Sequence, residues 1–326
     1  MKKHIYIYSP SSAVRDKAAF RRGVKRLTAL GYEVEVDEAA LAKHQRFAGE
    51  DAARVAAIAR AAASGADVAL IARGGYGLTR ILPAINYKAV AKAVDKGTRF
   101  VGMSDFTAFQ MALLAKTGAV TWAGPVGGEF GTLETPDDIM EACFDDLITG
   151  QAEGTGWTLP KSDLAGTKPF QIKDAVLWGG NLAVLASLVG TPYMPPIKGG
   201  ILFIEDVGEH PYRVERMLTQ LLHAGVLAAQ KAIVFGQFSD YKLVPGYDSG
   251  FNMAAVVGRL QSQVKARIVT GLPFGHVATK VLLPVGMKTT LAVEGRDAFV
   301  LWGHLHGGDH HDHGDHHGHS HHGHHH

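Results

Sequence analysis

Val68-Ala-Leu-Ile-Ala72 is an unbroken apolar run, and Arg73-Gly-Gly-Tyr-Gly77 follows it without a gap. Glycines placed where a strand gives way to a helix let backbone N–H groups approach a ligand and point at developing negative charge. Outward from this turn, short runs rich in β-branched and aromatic residues alternate with longer Ala-rich segments of helical period through the first 150 residues. The alternation predicts strands at 5–8, 33–36, 68–72, 100–102 and 120–123, and helices at 12–30, 50–63, 106–116 and 136–147. Such βαβ order calls for an α/β fold with a mostly parallel sheet, helices on both faces, and sites at the carboxyl ends of the strands.

Residues 151–168 break the rhythm with Gly, Thr, Ser and Pro, which reads as a linker between a first domain at 1–150 and a second at 169–306. The second is expected to be mixed α/β, with strands at 175–177, 201–204, 232–235, 280–283 and 289–293, helices at 182–188, 212–224 and 252–264, and a closing run at 299–302. The last stretch, 307–326, holds 11 of the 18 His with Asp, Gly and one Ser and nothing that could pack into a core. It reads as a disordered tail or a tag; a native tail of imidazoles and carboxylates would bind divalent metal, apart from the active site.

A chain of 326 residues, 46% hydrophobic, is long enough for two ordinary domains. Thirty-three Lys plus Arg against 31 Asp plus Glu leave a net charge of +2, and no basic stretch interleaves with aromatics, so a nucleic-acid partner is not implied. Cys143 is the single cysteine, which excludes an internal disulfide and fits a reducing compartment; on its helix it is expected to pack rather than react. Two cationic residues open the chain, but about four apolar ones follow before Ser9-Pro10, too few for a signal-peptide core, and no 18 apolar residues run together. The expectation is a soluble cytoplasmic protein without a membrane partner.

The glycine turn could cradle a phosphate. It lacks the Lys-Ser/Thr ending of a P-loop and the third glycine of the dinucleotide spacing, and no acidic residue ends the neighbouring second strand. Phe100-Val-Gly-Met-Ser-Asp-Phe-Thr107 carries a different chemistry. A serine on a sharp strand-to-helix turn is presented at the top of the sheet with helix N–H groups nearby, the geometry of a nucleophile elbow, although Gly-Met-Ser-Asp departs from Gly-x-Ser-x-Gly. The bland alternative is that Ser104 or Asp105 caps the helix.

A nucleophilic serine needs a base, and seven His lie outside the tail: His4, His44, His210, His223, His276, His304 and His306. His276 stands out, in the Pro- and Gly-punctuated stretch Gly271-Leu-Pro-Phe-Gly-His276, with a structural histidine as its alternative and His210 as runner-up base. The orienting carboxylate is best supplied by Glu205, which follows an apolar strand where an unpaired charge is costly. Asp206 and Glu209 are close alternatives, and Glu209 also suits the N-terminal dipole of the next helix.

Taken together, Arg73-Gly-Gly-Tyr-Gly77, the Ser104 segment, Gly179-Gly-Asn-Leu182, Gly190-Thr-Pro-Tyr193, Ile204-Glu-Asp-Val-Gly-Glu209, Tyr212-Arg213 with Arg216-Met-Leu218, and Leu272-Pro-Phe-Gly-His276 resemble the LD-carboxypeptidase family of serine peptidases. These are the muramoyltetrapeptide carboxypeptidases of bacterial cell-wall recycling, and the alternative within hydrolysis is a peptidase of the same fold that inactivates a peptide-nucleotide antibiotic and so gives self-immunity. The resemblance covers residues 5 to about 303 and implies a triad of Ser104, Glu205 and His276 with an oxyanion hole from the N–H groups of Gly75 and Asp105. It further implies a flavodoxin-like first domain, a smaller mixed second domain, a homodimer, no cofactor, and a murein tetrapeptide substrate losing its terminal D-Ala. Met103 departs from the pattern, where the family carries an aromatic residue. Candidates for holding the peptide's free carboxylate are Arg73, Arg80 and Arg213, and no metal site is expected in the folded region. The reading of another class is a non-catalytic peptide- or metal-binding protein.

Overall fold

The computed structural model describes residues 1–132, 135–163 and 168–303. His304, His306 and the tail at 307–326 lie outside them. The chain folds as α/β in two units, each built on one sheet. The first unit supplies the strands β1 (His4–Tyr8), β2 (Glu33–Val36), β3 (Val68–Ile71), β4 (Arg99–Gly102) and β5 (Thr121–Ala123), all parallel. Their order β5-β4-β3-β1-β2 is the flavodoxin-like one, whose switch point lies between β1 and β3. The glycine turn leaves β3 and Ser9-Pro-Ser-Ser12 leaves β1, so both flank the crevice where such folds bind ligands.

Among the described residues, six α-helices accompany this sheet: α1 (Lys17–Ala29), α2 (Asp51–Ala63), α3 (Leu78–Ile81), α4 (Tyr87–Asp95), α5 (Phe106–Thr117) and α6 (Asp138–Thr149). The first begins five residues later than its period predicts. Asp16 accepts from the Ala19 N–H as its N-cap, and residues 9–12 are left to form the loop after β1. Every residue of α5 from Phe106 to Leu114 is buried. It packs on α3 and α4 on one side and on the second unit on the other, so an apolar surface all round is what its position requires.

The second unit comprises β6 (Gly154–Thr158), β7 (Phe170–Asn181), α7 (Leu182–Ser187), β8 (Ile201–Val207), α8 (Pro211–His223), β9 (Ala232–Ser239), α9 (Met253–Gln263), β10 (Arg267–Val269), β12 (Lys288–Glu294) and β13 (Asp297–Leu301), while β11 (Leu283–Val285) between β10 and β12 returns to the first. Its sheet runs β10-β9-β8-β7-β12-β13-β6, parallel from β10 to β7 and antiparallel from β7 to β6. The long β7 joins the halves: Phe170–Val176 faces β12 and Leu177–Asn181 pairs with β8.

Two sequence expectations need correction. The stretch expected as a linker contributes β6, which pairs with β13, because Thr155 and Trp157 alternate with exposed neighbours as an edge strand requires. The strand expected at 280–283 is displaced to β11 and pairs antiparallel with β5, adding a sixth strand to the first sheet.

Candidate active site

β4 ends at Gly102, where a Cβ would come within 2.8 Å of Ile71 and Phe106, and two residues later the chain stands at φ +66° on Ser104. A left-handed conformation costs an L-residue roughly 1–2 kcal/mol, so the surroundings must impose it. The Phe106 and Thr107 N–H groups donate to Met103 O (3.2 Å) and Ser104 O (3.0 Å), winding the chain straight into α5. The cap reading fails for both side chains. No side chain caps α5; Asp105 Oδ2 instead accepts from Ser11 Oγ (2.8 Å) and the Leu78 N–H (2.9 Å). One buried carboxylate thus fastens the turns after β1, β3 and β4 together. Burial pushes its pKa up against those hydrogen bonds and the charge of Arg54.

The glycine turn lies against this serine. A Cβ on Gly74 would stand 2.6 Å from Ser104 Cβ and 2.7 Å from Oγ, and one on Gly75, at φ +103°, would collide with Ser12 Oγ. Ser12 Oγ accepts from the Tyr76 N–H (2.9 Å), while Arg54 Nη1 donates to Pro10 O (3.0 Å) and Gly77 O (2.9 Å). The N–H groups of Gly75 and Asp105 have no acceptor among the described residues.

In the second unit, His276 Nδ1 stands 2.7 Å from Glu205 Oε2, and Glu205 is wholly buried. Asn181 Nδ2 donates to Glu205 Oε1 (3.2 Å) and to Asp206 Oδ1 (3.0 Å). A register shift in the β8–β9 pairing between Ile204 and Asp206 accompanies this arrangement, in which two successive carboxylates meet one amide. Asp206 also accepts from the Ala183 and Val207 N–H groups, each at 2.9 Å. Burial, aided by the Glu205 charge, lifts its pKa to about 6 against these bonds. The Asn181 N–H donates to Thr107 Oγ1 (3.0 Å), so hydrogen bonds connect the Glu205 end of the pair to the first turn of α5, beside Ser104. Among the described residues no hydrogen bond joins Ser104 to His276.

Burial pulls the His276 imidazolium down, but the hydrogen bond and charge of Glu205, with Asp206 behind it, outweigh burial and the opposing Lys280 charge. The net pKa is above that of an ordinary histidine. Lys280, almost fully buried, pairs with Glu129 and approaches Met103 Sδ at 3.4 Å; Thr279 Oγ1 donates to Asp137. These tethers fasten the stretch around His276 to the first unit. Lys280, Glu129, Asn181 and Thr107 escaped sequence reasoning. In the sequence Asn181 is signalled only by its place in the Gly179-Gly-Asn-Leu182 segment, and Lys280 reads as the start of a strand.

The remaining candidates are engaged elsewhere. His210 Nε2 pairs with Asp248 (2.9 Å) while its Nδ1 accepts from the Tyr212 N–H (3.1 Å), which makes it a helix cap. Glu209 faces Arg213 (3.8 Å) and Arg80 pairs with Asp51 (3.2 Å). Cys143 is half-buried, and burial raises its thiol pKa. A cavity of about 800 Å³ between α9 and the strands β9 and β10 is lined by Phe235, Phe238, Met253 and Val257, and none of Ser104, Glu205 and His276 lines it. Among the described residues no group of three or more His, Cys, Asp or Glu is arranged to hold a metal ion, and no helix is long and apolar enough to cross a membrane.

Models of the LD-carboxypeptidase N-terminal and C-terminal domains match residues 5–124 and 174–291. A putative carboxypeptidase of Synechocystis is 32% identical over 87% of this chain and 90% of its own length. The murein tetrapeptide carboxypeptidase of Pseudomonas aeruginosa is 30% identical over 67% of this chain and 70% of its own. Among solved structures, the muramoyltetrapeptide carboxypeptidase from Oxalobacter formigenes superposes with a TM-score of 0.81 at 40% identity, covering 91% of this chain and 98% of the other.

Proposed function

This chain belongs to the LD-carboxypeptidase family, and from that premise we propose that it removes the terminal D-Ala of murein tetrapeptides by serine acyl transfer, as in cell-wall recycling. Ser104 is the nucleophile, His276 the base and Glu205 the carboxylate that orients it. The observation carrying the assignment is the buried Glu205–His276 pair, connected through Asn181 and Thr107 to the helix that starts beside Ser104.

With Nδ1 donating to Glu205, Nε2 of His276 is free to take the Ser104 proton as the hydroxyl attacks the carbonyl before the last residue. The oxyanion forms against the unengaged N–H groups of Gly75 and Asp105. Each such donor is worth about 2.7–4 kcal/mol, because a preorganised dipole needs no reorientation when the charge appears. The imidazolium, stabilised by Glu205, then protonates the leaving amine, and water activated by the same imidazole releases the acyl group. No cofactor enters these steps.

The test is release of D-Ala from a muramoyl tetrapeptide, followed by mass spectrometry for wild type and Ser104→Ala. Turnover by the variant near the wild-type rate overturns the mechanism. We also propose a division between a first domain at 1–150 and a second that begins with β6, a homodimer, and a cytoplasmic location. Family resemblance supports the first two and the single Cys143 is consistent with the last; limited proteolysis, sedimentation and cell fractionation check them in turn.

A further inference from the structure

Arg73 stands beside the glycine turn, with Arg15 and Arg46 near enough for their charges to act on it. Arg73 is half-buried at the carboxyl end of β3, and its Nη1 donates to Ala13 O (3.0 Å). The Ala13 N–H in turn donates to Arg46 O (2.9 Å), which brings the backbone at residues 13 and 46 beside Arg73 on the β1 side of the crevice. Burial, then the positive charges of Arg15 and Arg46, hold the Arg73 guanidinium below the usual arginine range. Among the described residues, none of the three forms an ion pair with a carboxylate. The two rival arginines are compensated, Arg80 by Asp51 and Arg213 by Glu209.

Arg73 is also the one of these arginines that the structure places against the reacting groups. A Cβ on Gly75 would lie 3.2 Å from Arg73 Nη2, and a Cβ on Gly74 would lie 2.7 Å from Ser104 Oγ. Gly74 and Gly75 are successive, with Cα atoms ~3.8 Å apart, so guanidinium and hydroxyl both lie against one two-residue turn. In a peptide the terminal carboxylate follows the scissile amide nitrogen by a single Cα, so its receptor is expected on the turn that lies against the nucleophile. A planar fork of N–H donors matches a carboxylate in two parallel hydrogen bonds, and an uncompensated, partly desolvated cation favours an anion more than a paired one does.

We infer that Arg73, reinforced by Arg15 and Arg46, receives the free α-carboxylate of the substrate's last residue and so restricts cleavage to the chain end. This rests on Ser104 being the nucleophile of the same turn. The cation selects acid over amide at the position just beyond the scissile bond, and it acts on binding rather than on proton transfer.

The experiment compares a muramoyl tetrapeptide with its C-terminal amide. Affinities are measured by calorimetry in a Ser104→Ala background, and kcat and KM with Ser104 intact. With Arg73 present, the free acid is preferred roughly 10- to 100-fold, the size of one charge-assisted fork. Arg73→Gln reduces the preference to within about 3-fold, chiefly through KM, and leaves the acid limb of the pH profile where it was; Arg73→Lys recovers part of it. Loss of kcat at unchanged acid-over-amide ratio means that Arg73 only braces Ala13, and overturns the inference. Should Arg73→Gln not fold, the double variant Arg15→Gln/Arg46→Gln decides: the ratio falls by about 3-fold or more, or the cluster is not the receptor. Cleavage surviving Ser104→Ala would sink the serine mechanism alone, because the affinity ratio still reports on Arg73.

Discussion

Ser104 and His276, the nucleophile and base proposed above, are held in place by different means. The serine stands two residues past a strand and two before a helix, and what aims it is backbone: a left-handed residue, glycines at Gly74 and Gly102 where any Cβ would collide, and the Asp105 carboxylate tying neighbouring turns. The histidine lies in the stretch between β10 and β11 that is neither helix nor strand. It is aimed largely by side chains: Glu205 on its ring, Lys280 on Glu129 and Thr279 on Asp137 behind it. One half of the site is therefore set chiefly by steric exclusion, with the Asp105 carboxylate as its titratable fastening, and the other by charge and hydrogen bonds throughout. Added bulk should break the first, and altered charge the second.

The contrast is sharpest where both halves are disabled outright. Ser104→Ala should lower kcat on the order of 10⁴- to 10⁶-fold with the fold retained, and Glu205→Gln by about 10⁴-fold through the wrong imidazole tautomer; D-Ala release measures both. Next comes the steric half. Gly74→Ala drives a methyl into Ser104, and a displacement of about 1 Å should cost roughly 10²-fold in kcat at every pH.

The charge half responds to pH instead. In the proposed mechanism His276 must be neutral to act as base, and its pKa is raised, so kcat/KM should be full at alkaline pH and fall as pH drops through a value above the ordinary ~6.5. Glu205 and Asp206 hold the proton on and Lys280 works against them. Lys280→Met should therefore move this limb to higher pH and cost about 10-fold at neutral pH, whereas Gly74→Ala should leave the limb in place. A rate loss in Lys280→Met with an unmoved limb would mean that the Lys280–Glu129 pair only packs. The smallest effect is in stability. Ser104→Gly should unfold at higher denaturant than Ser104→Ala, by about 1 kcal/mol, because glycine alone accepts φ +66° without strain.

Much of this arrangement is legible in the sequence, for local reasons. A parallel strand buried on both faces is an apolar run such as Val68–Ile71, and a glycine turn or a serine directly after such a run marks a strand end where sites form. Pairing partners are not local. Lys280 has nothing nearby in sequence to announce Glu129, and Asn181 looks like an ordinary N-cap of α7, which it also is, until β8 sets Glu205 and Asp206 beside it. Asp105 drew attention for its N–H, while its carboxylate, accepting from Ser11 and Leu78, could be found only in space. The edge strand β6 was obscured by two glycines in five residues.

The antiparallel pairing of Leu283–Val285 with Thr121–Ala123 also governs how the molecule comes into being. During synthesis β5 emerges early with its outer hydrogen-bonding edge open, and the residues that cover that edge arrive only after nearly all of the second unit has been made. The first sheet is thus sealed by the far end of the chain. A polypeptide stopped short of residue 283 offers an unprotected strand edge to any neighbour, and such fragments should associate with one another rather than remain separate.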